Sequence, residues 1–168
     1  MKKYTILVLT FLVGTMAFSQ DNLLENGDFE DGMIVWFGNA FNVQTDGGNS
    51  YNFADIQTAG EPFDVNLSQV VELTQGTNYI LTFDASSDQE RTMLAGIGLN
   101  EAPFTNTAPV VNLTADTQTF TLQLSAADFG GANSRVLFDM GADVGTVVLD
   151  NVSLVEGGDG SDSNPPPP

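Results

Sequence analysis

The chain has 168 residues, 22 of them acidic against only 4 lysines and arginines, with neither histidine nor cysteine. That composition removes the Ser-His-Asp triad, the histidine-bound zinc, thiol chemistry and any disulfide framework. So acidic a chain makes a poor partner for nucleic acid or anionic membranes; it attracts divalent cations, and neutral or cationic polymers remain acceptable ligands.

Lys2 and Lys3 precede an apolar run from Ile6 to Val13, and Ala17 and Ser19 follow at small-residue positions. This is the pattern of a secretory signal over residues 1–19, which implies a secreted or cell-surface protein. As a membrane anchor the apolar run is too short, since a span needs roughly 20 residues. Once the signal is removed, Arg91 and Arg135 are the only cations left.

Residues 20–155 are long enough for one domain with a single core. Within them, short segments rich in Val, Ile, Thr, Phe and Tyr alternate with Gly, Asn and Asp. Strands are predicted over Tyr51 to Gln57, Val65 to Leu73, Thr77 to Ser86, Arg91 to Leu99, Thr117 to Leu124, Arg135 to Met140 and Thr146 to Leu154. In the third of these, Tyr79, Leu81, Phe83 and Ala85 alternate with Asn78, Ile80, Thr82 and Asp84, as a half-buried strand requires. No stretch carries a helical period, so the expected fold is all-β, a two-sheet antiparallel sandwich such as a jelly roll. Residues 156–168, Gly, Asp and Ser ahead of four prolines, read as an extended linker toward a further domain.

The only tryptophan, Trp36, follows Met33, Ile34 and Val35 and reads as core rather than as a binding residue. Phe63 in Gly-Glu-Pro-Phe-Asp and Phe104 in Asn-Glu-Ala-Pro-Phe-Thr lie in turn-rich polar settings where a core phenylalanine is unexpected. Aromatic faces of this kind stack on the flat C–H faces of sugar rings, and planar polar groups take the hydroxyls. The alternative is that both rings plug the end of the sandwich. In Arg135 to Met140, strand alternation sends Val136, Phe138 and Met140 inward and leaves Arg135 and Asp139 on the outer face. Arg135 and Arg91 could equally pair with surface carboxylates. Asp150 shares simple alternation with Val148, Val152 and Leu154, which would bury a carboxylate. With two arginines available, calcium is a natural compensating charge, and a plain edge carboxylate bonded to loop amides is the alternative.

Three segments together resemble the family 4/9 carbohydrate-binding modules. They are NLLENGDFEDGMIVW from Asn22 to Trp36, LTQGTNYILTFDAS from Leu73 to Ser86, and SRVLFDMGADVGTVVLDNVSL from Ser134 to Leu154. The resemblance implies a jelly roll whose first and last strands lie side by side, appended to a glycoside hydrolase. It also implies a groove for a single polysaccharide chain of β-glucan or xylan type, with Phe63 and Phe104 sandwiching the sugar. Asn66, Gln69 and Arg91 sit where the family places polar sugar contacts, although Gln69 shares phase with Leu67 and Val71. The resemblance further implies a structural calcium held by the side chains of Glu30 and Asp150 and the carbonyls of Asp28 and Ser50. The expected function is thus a non-catalytic binding module, monomeric and tethered to a catalytic domain. The rivals are a small glycosidase, which needs two placed carboxylates, and a calcium-stabilised adhesive surface domain without a glycan groove.

Overall fold

The computed structural model describes residues 20–157; the signal-like segment 1–19 and the proline tail from 158 onward lie outside the described residues. The strands are β1 (Trp36–Gly38), β2 (Val43–Asp46), β3 (Asn49–Ile56), β4 (Asn66–Leu73), β5 (Asn78–Ser86), β6 (Arg91–Leu99), β7 (Asn106–Thr107), β8 (Val110–Leu113), β9 (Gln118–Ser125), β10 (Gly131–Asp139) and β11 (Gly145–Glu156). All seven expected strands are present. The only helical element among the described residues is a single 3₁₀ turn, Pro62–Asp64, and no helix there is long and apolar enough to cross a membrane.

Two antiparallel sheets form a jelly-roll sandwich. The first runs β1-β4-β10-β6-β7, with β8 also paired to β6; the second runs β2-β3-β11-β5-β9. Alternation places the inward rows where the sequence suggests. Tyr79, Leu81, Phe83 and Ala85 of β5 share one buried core with Val136 and Phe138 of β10. Phe83 meets Phe138 edge-on at 5.1 Å and stacks on Phe120 at 5.2 Å, and each such buried ring contributes roughly 1.5–3 kcal/mol. Trp36 is 3% exposed, packs on Phe29 and Phe138, and donates its indole N–H to the Asn26 carbonyl at 2.9 Å. It is core, as expected.

Two local readings are corrected. The Asn22–Glu30 segment, which the resemblance makes the first strand, is a chain of turns and bends. It does lie along β11, through Leu23 N–H to the Leu154 carbonyl and Val152 N–H to the Gly27 carbonyl, both 2.8 Å. Its residues Asn26 and Phe29 adopt positive φ, which breaks the regular ladder while Phe29 enters the core. The second correction concerns β11, whose ladder with β5 shifts register between Asp150 and Ser153. Asn151 takes φ 52° there, an extra residue that reverses the alternation. Asp150 therefore points away from the core beside Asp84, its direct partner on β5, while Val152 and Leu154 point into the core; its carboxylate is nonetheless buried, as expected, at 9% exposure. The strand also reaches Glu156, and Gly157 N–H donates to the Asn78 carbonyl at 2.7 Å, so the first two residues of the expected linker belong to the sandwich.

Candidate functional site

The outer face of the first sheet carries the site. Register aligns Asn66, Ser68 and Val70 of β4 with Asp139, Leu137 and Arg135 of β10, and these with Leu94, Gly96 and Gly98 of β6. Leu137 and Ser68 are fully covered and form the floor between the two polar ends. On β1, Phe37 stands opposite Ser68 and continues that row to the sheet edge.

Two loops raise walls over this floor. The 3₁₀ turn Pro62–Asp64 lifts Phe63, and it is closed by Asp64 N–H to the Glu61 carbonyl and by Glu61 N–H to the Asp64 carboxylate at 2.8 Å. Opposite it, the segment 101–108 carries Phe104, whose φ of 58° is a conformation that costs a bulky residue energy and is kept at functional positions. This wall leans close because β6 has no side chains beneath it. A Cβ on Gly96 would lie 2.1 Å from the Thr107 carbonyl oxygen, and one on Gly98 would lie 2.5 Å from the Asn106 side chain.

The result is a cleft of about 430 Å³ lined by Phe63, Asn66, Phe104, Asn106, Arg135 and Asp139. Phe63 and Phe104 are 61% and 52% exposed, so neither plugs the sandwich. The Arg135 guanidinium lies 6.0 Å from the Phe104 ring centroid, donates to Ser68 Oγ at 3.4 Å, and keeps its Nε–H without a partner; Asp139 Oδ1 is likewise buried and unpaired. Burial pushes the Asp139 carboxyl above the ordinary carboxylate range, and Arg135 pulls it back in part. Asn66 donates its amide to the Phe63 carbonyl at 2.8 Å and Asn106 donates to the Phe104 carbonyl at 3.0 Å. Two exposed aromatic faces beside a guanidinium, a carboxylate and two amides form the combination that sugar rings satisfy. With one carboxylate in the lining, the cleft lacks the acid and base pair of a glycosidase.

Five of the seven expected sugar contacts thus gather in one cleft; Gln69 and Arg91 do not. Gln69 is 4% exposed and points inward with its strand phase. Its amide is spent on the backbone of Glu25, accepting from the N–H and donating to the carbonyl at 2.9 Å each. Arg91 is 5% exposed at the start of β6. It donates to the carbonyls of Gly145 at 3.0 Å and Met140, and burial lowers its guanidinium from the ordinary value. Sequence reasoning missed Asn106, which lines the cleft, although it follows Phe104 by two residues in the same loop.

The two carboxylates expected to hold calcium, Glu30 and Asp150, both bond to the Asn49–Ser50 segment. Glu30 accepts Ser50 N–H at 2.8 Å, while Asp150 accepts the Asn49 side-chain amide at 2.9 Å and Asn151 N–H at 2.7 Å. Asn49 and Ser50 therefore tie the two carboxylates together, and Asp28 reaches back to Glu30 N–H at 3.4 Å. Among the described residues no three acidic side chains gather at one point, so this set offers two carboxylates and backbone carbonyls. All of these donors are oxygens, which fits a hard cation of calcium type.

A family model described as a carbohydrate binding domain matches residues 21–139. A solved CBM4 structure is 26% identical with a TM-score of 0.66, over 79% of this chain and 99% of its own. The N-terminal cellulose-binding domain of β-1,4-glucanase C from Cellulomonas fimi is 22% identical with a TM-score of 0.62, over 83% and 99%. The xylan-binding CBM22-1 domain of Xyn10C from Paenibacillus barcinonensis shares the fold at 13% identity and a TM-score of 0.59, over 83% and 97%. No curated protein matches the chain. The sandwich, its open aromatic cleft and the match over most of its length place the chain in the family 4/9 carbohydrate-binding domains, non-catalytic modules whose partner is a polysaccharide.

Proposed function

We propose that the cleft between Phe63 and Phe104 binds one chain of a neutral polysaccharide of β-glucan or xylan type. The two rings clasp a sugar by stacking, while Arg135 and Asp139 take its hydroxyls at the floor. The observation that carries this reading is the cleft itself, in which Phe63 and Phe104 stand 61% and 52% exposed on either side of Arg135 and Asp139. Phenylalanine at both stacking positions supplies no hydroxyl or indole N–H, so orientation falls to the polar floor.

The exposed aromatic cleft favours this reading over an adhesive domain without a groove. Under it the protein is exported by its first 19 residues and acts as a monomer. Beyond the proline tail it is tethered to a glycoside hydrolase, whose local concentration on the polymer it raises. The side chains of Glu30 and Asp150 and the carbonyls of Asp28 and Ser50 would hold calcium, which supplies positive charge to two carboxylates that lack an arginine partner.

The test exploits the presence of just two arginines, Arg91 and Arg135. Cellohexaose or xylohexaose is titrated into ¹⁵N-labelled protein and the two arginine Nε–H resonances are followed. The Arg135 signal should shift with saturation while the Arg91 signal stays in place. Saturable binding that leaves Arg135 unmoved would overturn the assignment of the cleft.

A further inference from the structure

We infer that Arg91 is a positioning residue for the sugar cleft, acting through the 140–145 loop on the turn that carries Phe63. This rests on the cleft assigned above. Arg91 lines a different depression, with Thr92, Asn112 and Asp143, and its contacts are all with protein. Its guanidinium spans the loop, holding the carbonyl of Met140 at one end and that of Gly145 at the other. Beside it, Asp143 fastens the loop to β6 a second time, accepting the Thr92 N–H at 2.8 Å and hydroxyl at 2.6 Å.

The other side of the same loop is welded to the Phe63 turn. Met140 N–H donates to the Val65 carbonyl at 2.7 Å, Gly141 N–H to the Pro62 carbonyl at 2.8 Å, and Gly60 N–H to the Gly141 carbonyl at 2.8 Å. Contact there is so close that a Cβ on Gly141 would lie 2.5 Å from the Glu61 carbonyl oxygen and 2.8 Å from Val65 N. Gly60 to Val65 thus lies against a loop whose two ends Arg91 bridges from below. Phe63, 61% exposed at the apex, makes no core packing that could fix it independently. A lysine delivers its charge as a single point and cannot span two carbonyls as the planar fork does, so the relay requires arginine.

The experiment is a double-mutant cycle on the full chain, read as affinity for hydroxyethylcellulose, barley β-glucan and xylan. Wild type against Phe104→Ala first establishes whether the cleft binds sugar; if wild type binds none of the three, the cleft reading fails and the cycle is not the cause. Given binding, Arg91→Gln should weaken affinity by about tenfold in the wild-type background and by less than about twofold once Phe63→Ala is present, because its effect passes through that ring. Arg91→Lys should recover little of the loss. Equal loss in both backgrounds would overturn the proposal, since a role in general stability weakens binding whether or not Phe63 is there. Gly141→Ala breaks the same relay without touching Arg91. If Arg91→Gln does not fold, Gly141→Ala carries the cycle with the same expected non-additivity, and additive loss with it overturns the proposal.

Discussion

Replacing Phe104 by alanine separates a binding ring from a packing ring. Phe104 is 52% exposed, so about half of the roughly 1.5–3 kcal/mol that full burial of a phenylalanine is worth remains for a ligand to claim. Covering that half corresponds to about 0.8–1.5 kcal/mol, or about a four- to twelvefold change in affinity. Loss of the Arg135 contact at 6.0 Å adds to the effect by freeing the guanidinium. Stability should fall by only about 0.7–1.4 kcal/mol, the worth of the half that the fold already covers. Isothermal titration with cellohexaose or xylohexaose, alongside a thermal melt, reads both quantities. Unchanged affinity would refute the stacking role, and a large fall in Tm would show that the ring packs rather than binds.

The other residues give equally specific expectations. Burial raises the Asp139 carboxyl above its ordinary value of 3.8, so its ionised form opposes folding as pH rises through the raised value. Asp139→Asn should therefore be more stable than wild type at pH 7, with the gain shrinking as pH falls toward 4; a pH-independent difference in Tm would contradict this. Gly96→Ala places a methyl 2.1 Å from the Thr107 carbonyl oxygen. It should cost about 1–3 kcal/mol and weaken sugar binding by displacing the Phe104 wall; a variant that melts and binds like wild type would show that the wall has slack. Calcium at a hundredfold above its Kd should stabilise by about 2.7 kcal/mol, reversed by chelator and absent in Glu30→Gln combined with Asp150→Asn. A melt indifferent to calcium and chelator would remove the metal from the account.

The sandwich was legible because its long strands alternate cleanly: β5 and β10 each display an apolar row that only one phase can bury. β1, β2, β7 and β8 run two to four residues, too few for alternation to register. Phe63 and Phe104 stood out because each follows a proline in a polar turn, where burial has no support. Simple alternation misled at Asp150, because the bulge at Asn151 is set by a positive φ that an asparagine permits but does not announce. Gln69 deceived in the other direction. Its inward phase was visible, yet the residue that satisfies its amide, Glu25, lies 44 positions away, and only the fold reveals that pairing. The role of Arg91 was hidden for the same reason, its partners lying about 50 residues downstream.

Affinity electrophoresis of the protein through gels containing hydroxyethylcellulose, barley β-glucan or xylan reads whether the Phe63–Phe104 cleft holds a glycan chain. The expected result is retardation by at least one polymer, lost or much reduced in Phe63→Ala and Phe104→Ala, with no reducing ends released. Free migration through every gel, or retardation that survives removal of both rings, would contradict it.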